Sequence, residues 1–230
     1  SFEKSAVLRR YWSLNGLESG AISEWTRACF MGKLKDVMFL VNAEGPSILD
    51  RRDPAMNQCA CGIPREEGRI RSKTHPGVAD YMGCLKFLID QKVNLNTRDI
   101  AGYTPLHHCL TCHGNDLTFE MAKVLLEAGA DPNARNRFGC TPMFECVMSR
   151  KLDYIQLLLD HGAKINVTDN DGCSLFEMTA LFPSIRELFS KSMKKEGKAL
   201  RDEARAEGTY RKCGACGHSE AKRCQGCFVA

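Results

Sequence analysis

Cys213-Gly214-Ala215-Cys216 and Cys224-Gln225-Gly226-Cys227 form two C-x-x-C pairs separated by seven residues. Two thiolates at this spacing close a knuckle whose sulfurs converge on one tetrahedral ion, and Gly214, Gly217 and Gly226 let backbone amides turn toward sulfur. All-sulfur tetrahedral ligation points to Zn2+, which has no redox chemistry of its own. The surrounding residues carry no thioredoxin-like strand-helix-strand pattern, so redox pairs are the weaker reading. The chain has 13 Cys, an odd number. Without a secretory signal, that count argues against a disulfide framework and for reduced thiols in an intracellular setting, cytoplasmic or nuclear.

Other constellations carry less. Cys59, Cys61, His75 and Cys84 could form a second zinc site, but their spacing is not a recognised one, and plain loop residues are the simpler reading. Cys109-Leu110-Thr111-Cys112-His113 has the form of a c-type haem attachment, yet it falls at the end of a repeat's first helix, where packing explains it. His107 is read as hydrogen-bonding around a turn, with His108 as its neighbour. There is no Gly-rich phosphate loop, G-x-S-x-G, H-E-x-x-H or paired-acid constellation, so no catalytic residue and no small-molecule substrate is assigned.

The 230 residues are 43% hydrophobic and 26% charged, which excludes a disordered chain. The longest apolar run, Val37 to Val41, is far too short for a membrane span. The start, Ser1-Phe2-Glu3-Lys4, has neither a signal peptide nor an initiator Met and is read as an internal fragment. Residues 191–230 hold ten Lys/Arg against five Asp/Glu, so the net +4 belongs to the C-terminal tail. A solvated helix face is the simpler account of that tail. Nucleic-acid binding is the weaker one, because clustering is sparse and aromatics are not interleaved.

What positions these residues is a repeat. Leu88 to Asn96, Leu125 to Asn133 and Leu158 to Asn166 align, with the three Asn 37 and 33 residues apart. Gly102, Gly139 and Gly172 follow six residues later, then Thr104-Pro105-Leu106-His107, Thr141-Pro142-Met143-Phe144 and Ser174-Leu175-Phe176. The glycines accept positive φ, and Asp99, Asn136 and Asn170 are the side chains expected to stabilise the turns. Thr104 and Thr141 are expected to cap helices that open on Pro. Met121, Val124 and Leu125, and Ile155, Leu158 and Leu159, recur at helical spacing on second helices that end at Gly129 and Gly162. One unit cannot bury such a face alone, so neighbours stack.

These residues resemble the ankyrin repeat, with its Thr-Pro-Leu-His helix start and Gly-Ala-Asp-x-Asn return. The resemblance implies an all-α solenoid of helix-turn-helix units with β-turn tips. Ala28 to Val41 reads as an upstream unit, and Ser184-Ile185-Arg186-Glu187 has capping-box spacing before the apolar Ile185, Leu188 and Phe189 of a last one. The divisions expected are a solenoid over 1–190, irregular near 51–77, a charged linker helix over 191–209 and a zinc-binding segment over 210–230. Four extra residues fall in the loop His113 to Asp116.

The C-terminal segment resembles the start of a MYND zinc finger, with Lys222-Arg223 before the second pair. That family interleaves two zinc sites and uses further ligands beyond the equivalent of Ala230. Here either each pair is half of a site completed further on, or four cysteines share one ion. Ankyrin repeats followed by a MYND finger resemble a group of adaptor-type proteins, and the resemblance implies protein partners, among them proline-containing peptides. The groove and turn tips of such a solenoid put Arg98, Ile100, Tyr103, Arg135, Arg137, Phe138, Thr168 and Asn170 forward as partner contacts, Phe138 and Tyr103 foremost, because exposed aromatics are costly unless used. A regulatory part of a larger MYND-containing lysine methyltransferase is the enzymatic alternative, and nucleic-acid binding through the basic tail is the third.

Overall fold

The computed structural model describes residues 23–51, 79–99, 101–111 and 116–206, with side chains of the last helix described to residue 195. Cys213, Cys216, Cys224 and Cys227, the 52–78 insertion with Cys59, Cys61 and His75, and Ile100 lie outside the described residues. Among the described residues there are helices and turns, and the one β-type pairing is an isolated antiparallel bridge between Thr168 and Ser174.

The helices are α1 Glu24–Phe30, α2 Leu34–Glu44, α3 Tyr81–Asp90, α4 Pro105–Thr111, α5 Asp116–Glu127, α6 Pro142–Met148, α7 Leu152–Asp160, α8 Leu175–Met178 and α9 Pro183–Ala206. Short 3-10 turns, Pro46–Asp50 and Thr179–Leu181, follow α2 and α8. The chain divides into two compact units at Ile185 and Arg186, within α9. α9 is therefore continuous across the expected boundary at 190, and because it opens at Pro183, Ser184 lies inside it rather than capping it.

The first unit holds a series of helix pairs. Ser23 opens α1, its Oγ accepting the N–H of Thr26 at 3.1 Å, and Gly32 carries the chain round to α2. Trp25, Ala28, Cys29, Val37, Leu40, Val41 and Ile48 close a core with Cys84 and Leu88 of α3. Thus α3 packs directly on the α1–α2 pair, and the N–H of Asp80 donates to the carbonyl of Gly32 at 2.8 Å. Next, Leu106, Cys109 and Leu110 of α4 and Met121, Ala122 and Leu125 of α5 are buried, followed by Met143, Cys146 and Val147 of α6 and Ile155 and Leu158 of α7. Each buried Leu contributes on the order of 1.5–3 kcal/mol from apolar burial.

Second helices are tied as well as packed. The Thr118 hydroxyl lies 2.8 Å from Tyr154 Oη, and Phe119 meets the Tyr154 ring edge-on at 5.1 Å. Cys109 is fully buried within α4, whereas Cys112 and His113 of the haem-like motif lie outside the described residues. Gly129 and Gly162 follow α5 and α7 with φ of 94° and 80°, as the repeat pattern requires.

Candidate functional site

Three finger-like turns project between helix pairs, at residues 97–104, 134–141 and 167–174, and each is built by one side chain. Asp99 Oδ1 accepts the N–H groups of Ala101 at 2.8 Å and Tyr103 at 2.9 Å. Asn136 Oδ1 accepts those of Phe138 at 2.9 Å and Cys140 at 3.0 Å. In the third finger the same bonds go to Asp169, at 3.0 Å from the Asp171 N–H and 2.8 Å from that of Cys173. This corrects the assignment of Asn170: aligned on the glycine six past the repeat Asn, the turn-building acceptor is Asp169. A short Asx side chain serves because it mimics a backbone turn from within.

Asn170 has a different task. Its N–H donates to the Phe138 carbonyl at 2.9 Å, and its Nδ2 donates to the Arg137 carbonyl at 2.9 Å. Likewise the Arg137 N–H donates to the Ala101 carbonyl at 3.1 Å, and an Nη2 N–H of Arg135 donates to the Thr168 carbonyl. Successive fingers are thus joined side by side. A Cβ at Gly102 would lie 2.7 Å from the Arg137 nitrogen, and one at Gly139 would lie 2.4 Å from Asn170 Oδ1, so these two glycines are required by approach as well as by φ near 81°.

The return loops form a second ladder. Asn96 Oδ1 accepts the Asp131 N–H at 2.8 Å. One unit on, Asn133 Oδ1 accepts the Lys164 N–H at 2.7 Å while its Nδ2 donates to the Gly162 carbonyl at 3.0 Å.

Beneath the first finger the buried histidines are fixed. His107 Nδ1 accepts the Thr104 N–H at 3.2 Å and lies 2.9 Å from the Thr104 hydroxyl, and its Nε2 is 3.4 Å from the Cys140 carbonyl. Burial pushes its pKa down to about 4. His108 Nε2 pairs with Asp99 Oδ2 at 3.0 Å. Burial pushes the Asp99 carboxyl up, but the hydrogen bond and charge of His108, with the Tyr103 and Ala101 N–H groups, outweigh it and hold it below the usual range. In the next unit Thr141 has no side-chain capping bond, and its buried Oγ1 has no hydrogen-bond partner, which corrects the expectation that both threonines cap.

The expected contact residues separate. Arg98, Arg135, Arg137, Phe138, Thr168 and Asn170 are exposed along the tips, Phe138 with 61% of its surface open. Tyr103 is half-buried: its ring packs on His107 and His108, and its hydroxyl is 3.3 Å from Glu145 Oε1, so it is held against its neighbours rather than projecting. Sequence reasoning missed a second exposed apolar pair, Met148 and Leu181, at 62% and 83% exposure. They stand seven residues past Thr141 and Ser174, Met148 as the last residue of α6 and Leu181 as the last of the 3-10 turn after α8, and the available signal was two large apolar residues in one register position. Among the described residues, no group of three or more His, Cys, Asp or Glu is placed to hold a metal ion, and no helix is long and apolar enough to cross a membrane.

A family model described as ankyrin repeats matches residues 77–169, in three copies. An ankyrin repeat protein of monkeypox virus is 36% identical over 81 residues, 35% of this chain and 13% of that protein. An ankyrin repeat-containing protein of Schizosaccharomyces pombe is 33% identical over 101 residues, 42% of this chain and 45% of that protein. An NAD-dependent deacetylase of Dictyostelium discoideum is 36% identical over 84 residues, 36% of this chain and 11% of that protein. The chain therefore matches less than half the length of each of these relatives. Glycine-closed fingers, Thr-Pro helix starts and Asn-linked return loops agree with the family match: the repeats of residues 77–169 are ankyrin repeats.

Proposed function

We propose that this chain is a non-enzymatic adaptor that binds protein ligands through the ankyrin finger tips and groove. The observation that carries this reading is the row of tips. Backbone bonds fix it in register, and it exposes Phe138 beside Arg135 and Arg137 instead of covering them. A preset surface costs little ordering on binding, and exposed aromatic and Arg side chains are the residue types that anchor interfaces. Protein captured by the full chain and lost on Phe138→Ala with Arg137→Ala, at unchanged helical content, is the expected result. Equal capture by the variant would place recognition elsewhere.

A second contact is proposed at the C-terminal cysteines. Cys213, Cys216, Cys224 and Cys227 would hold Zn2+ in a MYND-like knuckle, with proline-containing peptides as its ligand class. Support comes from the thiolate spacing and the preceding Lys222-Arg223. Purified protein should carry zinc that falls when Cys213 and Cys216 are both changed to Ser. Unchanged zinc by atomic emission would mean that other residues hold it.

A further inference from the structure

The row of tips is charged unequally along its length. Arg98 stands on the first finger and Arg135 and Arg137 on the second, all exposed, whereas the third finger carries Asp169 and an exposed Asp171. Phe138 lies between the two signs. Groups beneath the row feel these charges too: burial chiefly lowers the His107 imidazole and Arg98 adds to it, while burial chiefly raises the half-buried Cys140 thiol and Asp169, Glu145 and Asp171 add to it. Arg135 already donates to Thr168, but a guanidinium fork has five N–H groups, so it can hold a carboxylate as well. The finger-to-finger bonds fix the spacing of these groups before any ligand arrives.

We propose that the first two fingers bind a peptide segment whose Asp or Glu carboxylates meet Arg135 and Arg137 while an adjacent apolar side chain covers Phe138. The carboxylates of the third finger repel an acidic continuation and so set the direction in which the segment lies. This rests on the adaptor reading and names the partner chemistry of that surface.

Random dodecapeptides displayed on phage and selected against the full 230-residue chain test it. Enriched sequences should pair Asp or Glu with a large apolar residue, and their synthetic forms should bind more weakly as salt rises, because exposed charge pairs are screened. Arg135→Glu with Arg137→Glu should weaken binding about ten-fold or more, and replacing the peptide's acids by Lys should restore it. Should the double variant lose helical signal, the salt series on the parent chain decides alone. Peptides that depend on Phe138 but show no acidic preference would overturn this inference and leave the adaptor reading standing. Selected peptides indifferent to both Phe138→Ala and the Arg changes would overturn both. A duplex oligonucleotide that binds the parent, competes with the peptides and is lost in the Arg variants would replace the peptide by a phosphate ligand.

Discussion

His107 and Phe144 occupy the same position of successive repeats, three residues past Thr104 and Thr141, and the difference decides the fate of two hydroxyls. Because the Thr104 N–H can only donate, His107 Nδ1 must be the bare nitrogen, and Nε2–H donates to the Cys140 carbonyl of the next repeat. The fold therefore binds the neutral ring. The unfolded imidazole takes its proton near pH 6.5 and the buried one only near 4, so stability falls as pH drops through that window, by up to about 3 kcal/mol. Asp99 acts in a separate window: its carboxyl is held low, so its contribution is lost only below about pH 4. Urea denaturation at pH 7 and pH 4.5 should show the first loss, and His107→Phe should flatten it; a parent curve flat between those values would contradict the assignment. The Phe144 ring offers the Thr141 hydroxyl no nitrogen, leaving Oγ1 buried without a partner. Thr141→Val should therefore be neutral or stabilising in thermal melts, while Thr104→Val costs about 1–2 kcal/mol. Both threonines looked like caps in the sequence because Thr-Pro is common to them; what separates them is a contact three residues on and into the next repeat.

At the scale of the element, each finger and return loop is held by its neighbour as much as by itself. Asn133 shows this, since its side chain spans from one return loop to the next through Lys164 and Gly162. Asn133→Ala should cost about 1–2 kcal/mol in a denaturation series, toward the low end because water can reach the vacated groups. The position after α3 tests the opposite case. Lys92 stands where Gly129 and Gly162 stand in later repeats and holds φ of 59°. A left-handed non-glycine residue costs about 1–2 kcal/mol, of which the extra entropy lost by glycine returns about 0.5–1. Lys92→Gly should accordingly raise stability by about 0.5 kcal/mol or slightly more, and a lower melting temperature would count against the argument. The helices α4 and α6, opening on Pro105 and Pro142, were legible from their starts, and α5 and α7 from apolar spacing and closing glycines. Asp169 was legible as well, since it stands three residues before Gly172 as Asp99 and Asn136 stand before Gly102 and Gly139; the expectation of Asn170 in its place arises because the two adjacent Asx-type residues both suit a turn.

At the scale of the molecule, stability in a stacked array is a sum of unit and neighbour terms, so a lesion matters by where it interrupts the stack. The repeat period revealed that neighbours must stack, yet not that α3 would join the α1–α2 core through Cys84 and Leu88, because the chain between 52 and 78 carries no readable repeat. Leu125 is fully buried in α5, whose helix neighbours both α3 and α4, so it stands between that first core and the later repeats. A carboxylate there would have to be desolvated without a cation, a cost of several kcal/mol against the 5–15 kcal/mol that a whole domain commands. Separating the array at that point leaves on either side a smaller stack that buries a smaller share of its surface and is correspondingly marginal. Leu125→Asp should therefore abolish most of the helical circular dichroism in one step, and Leu158→Asp, at the equivalent buried place in α7, should do the same or leave only the earlier pairs folded. A Leu125→Asp chain with undiminished helical signal would show that this side chain is not in the stacked interior and would refute the register on which the fingers, the groove and the proposed partner surface all depend.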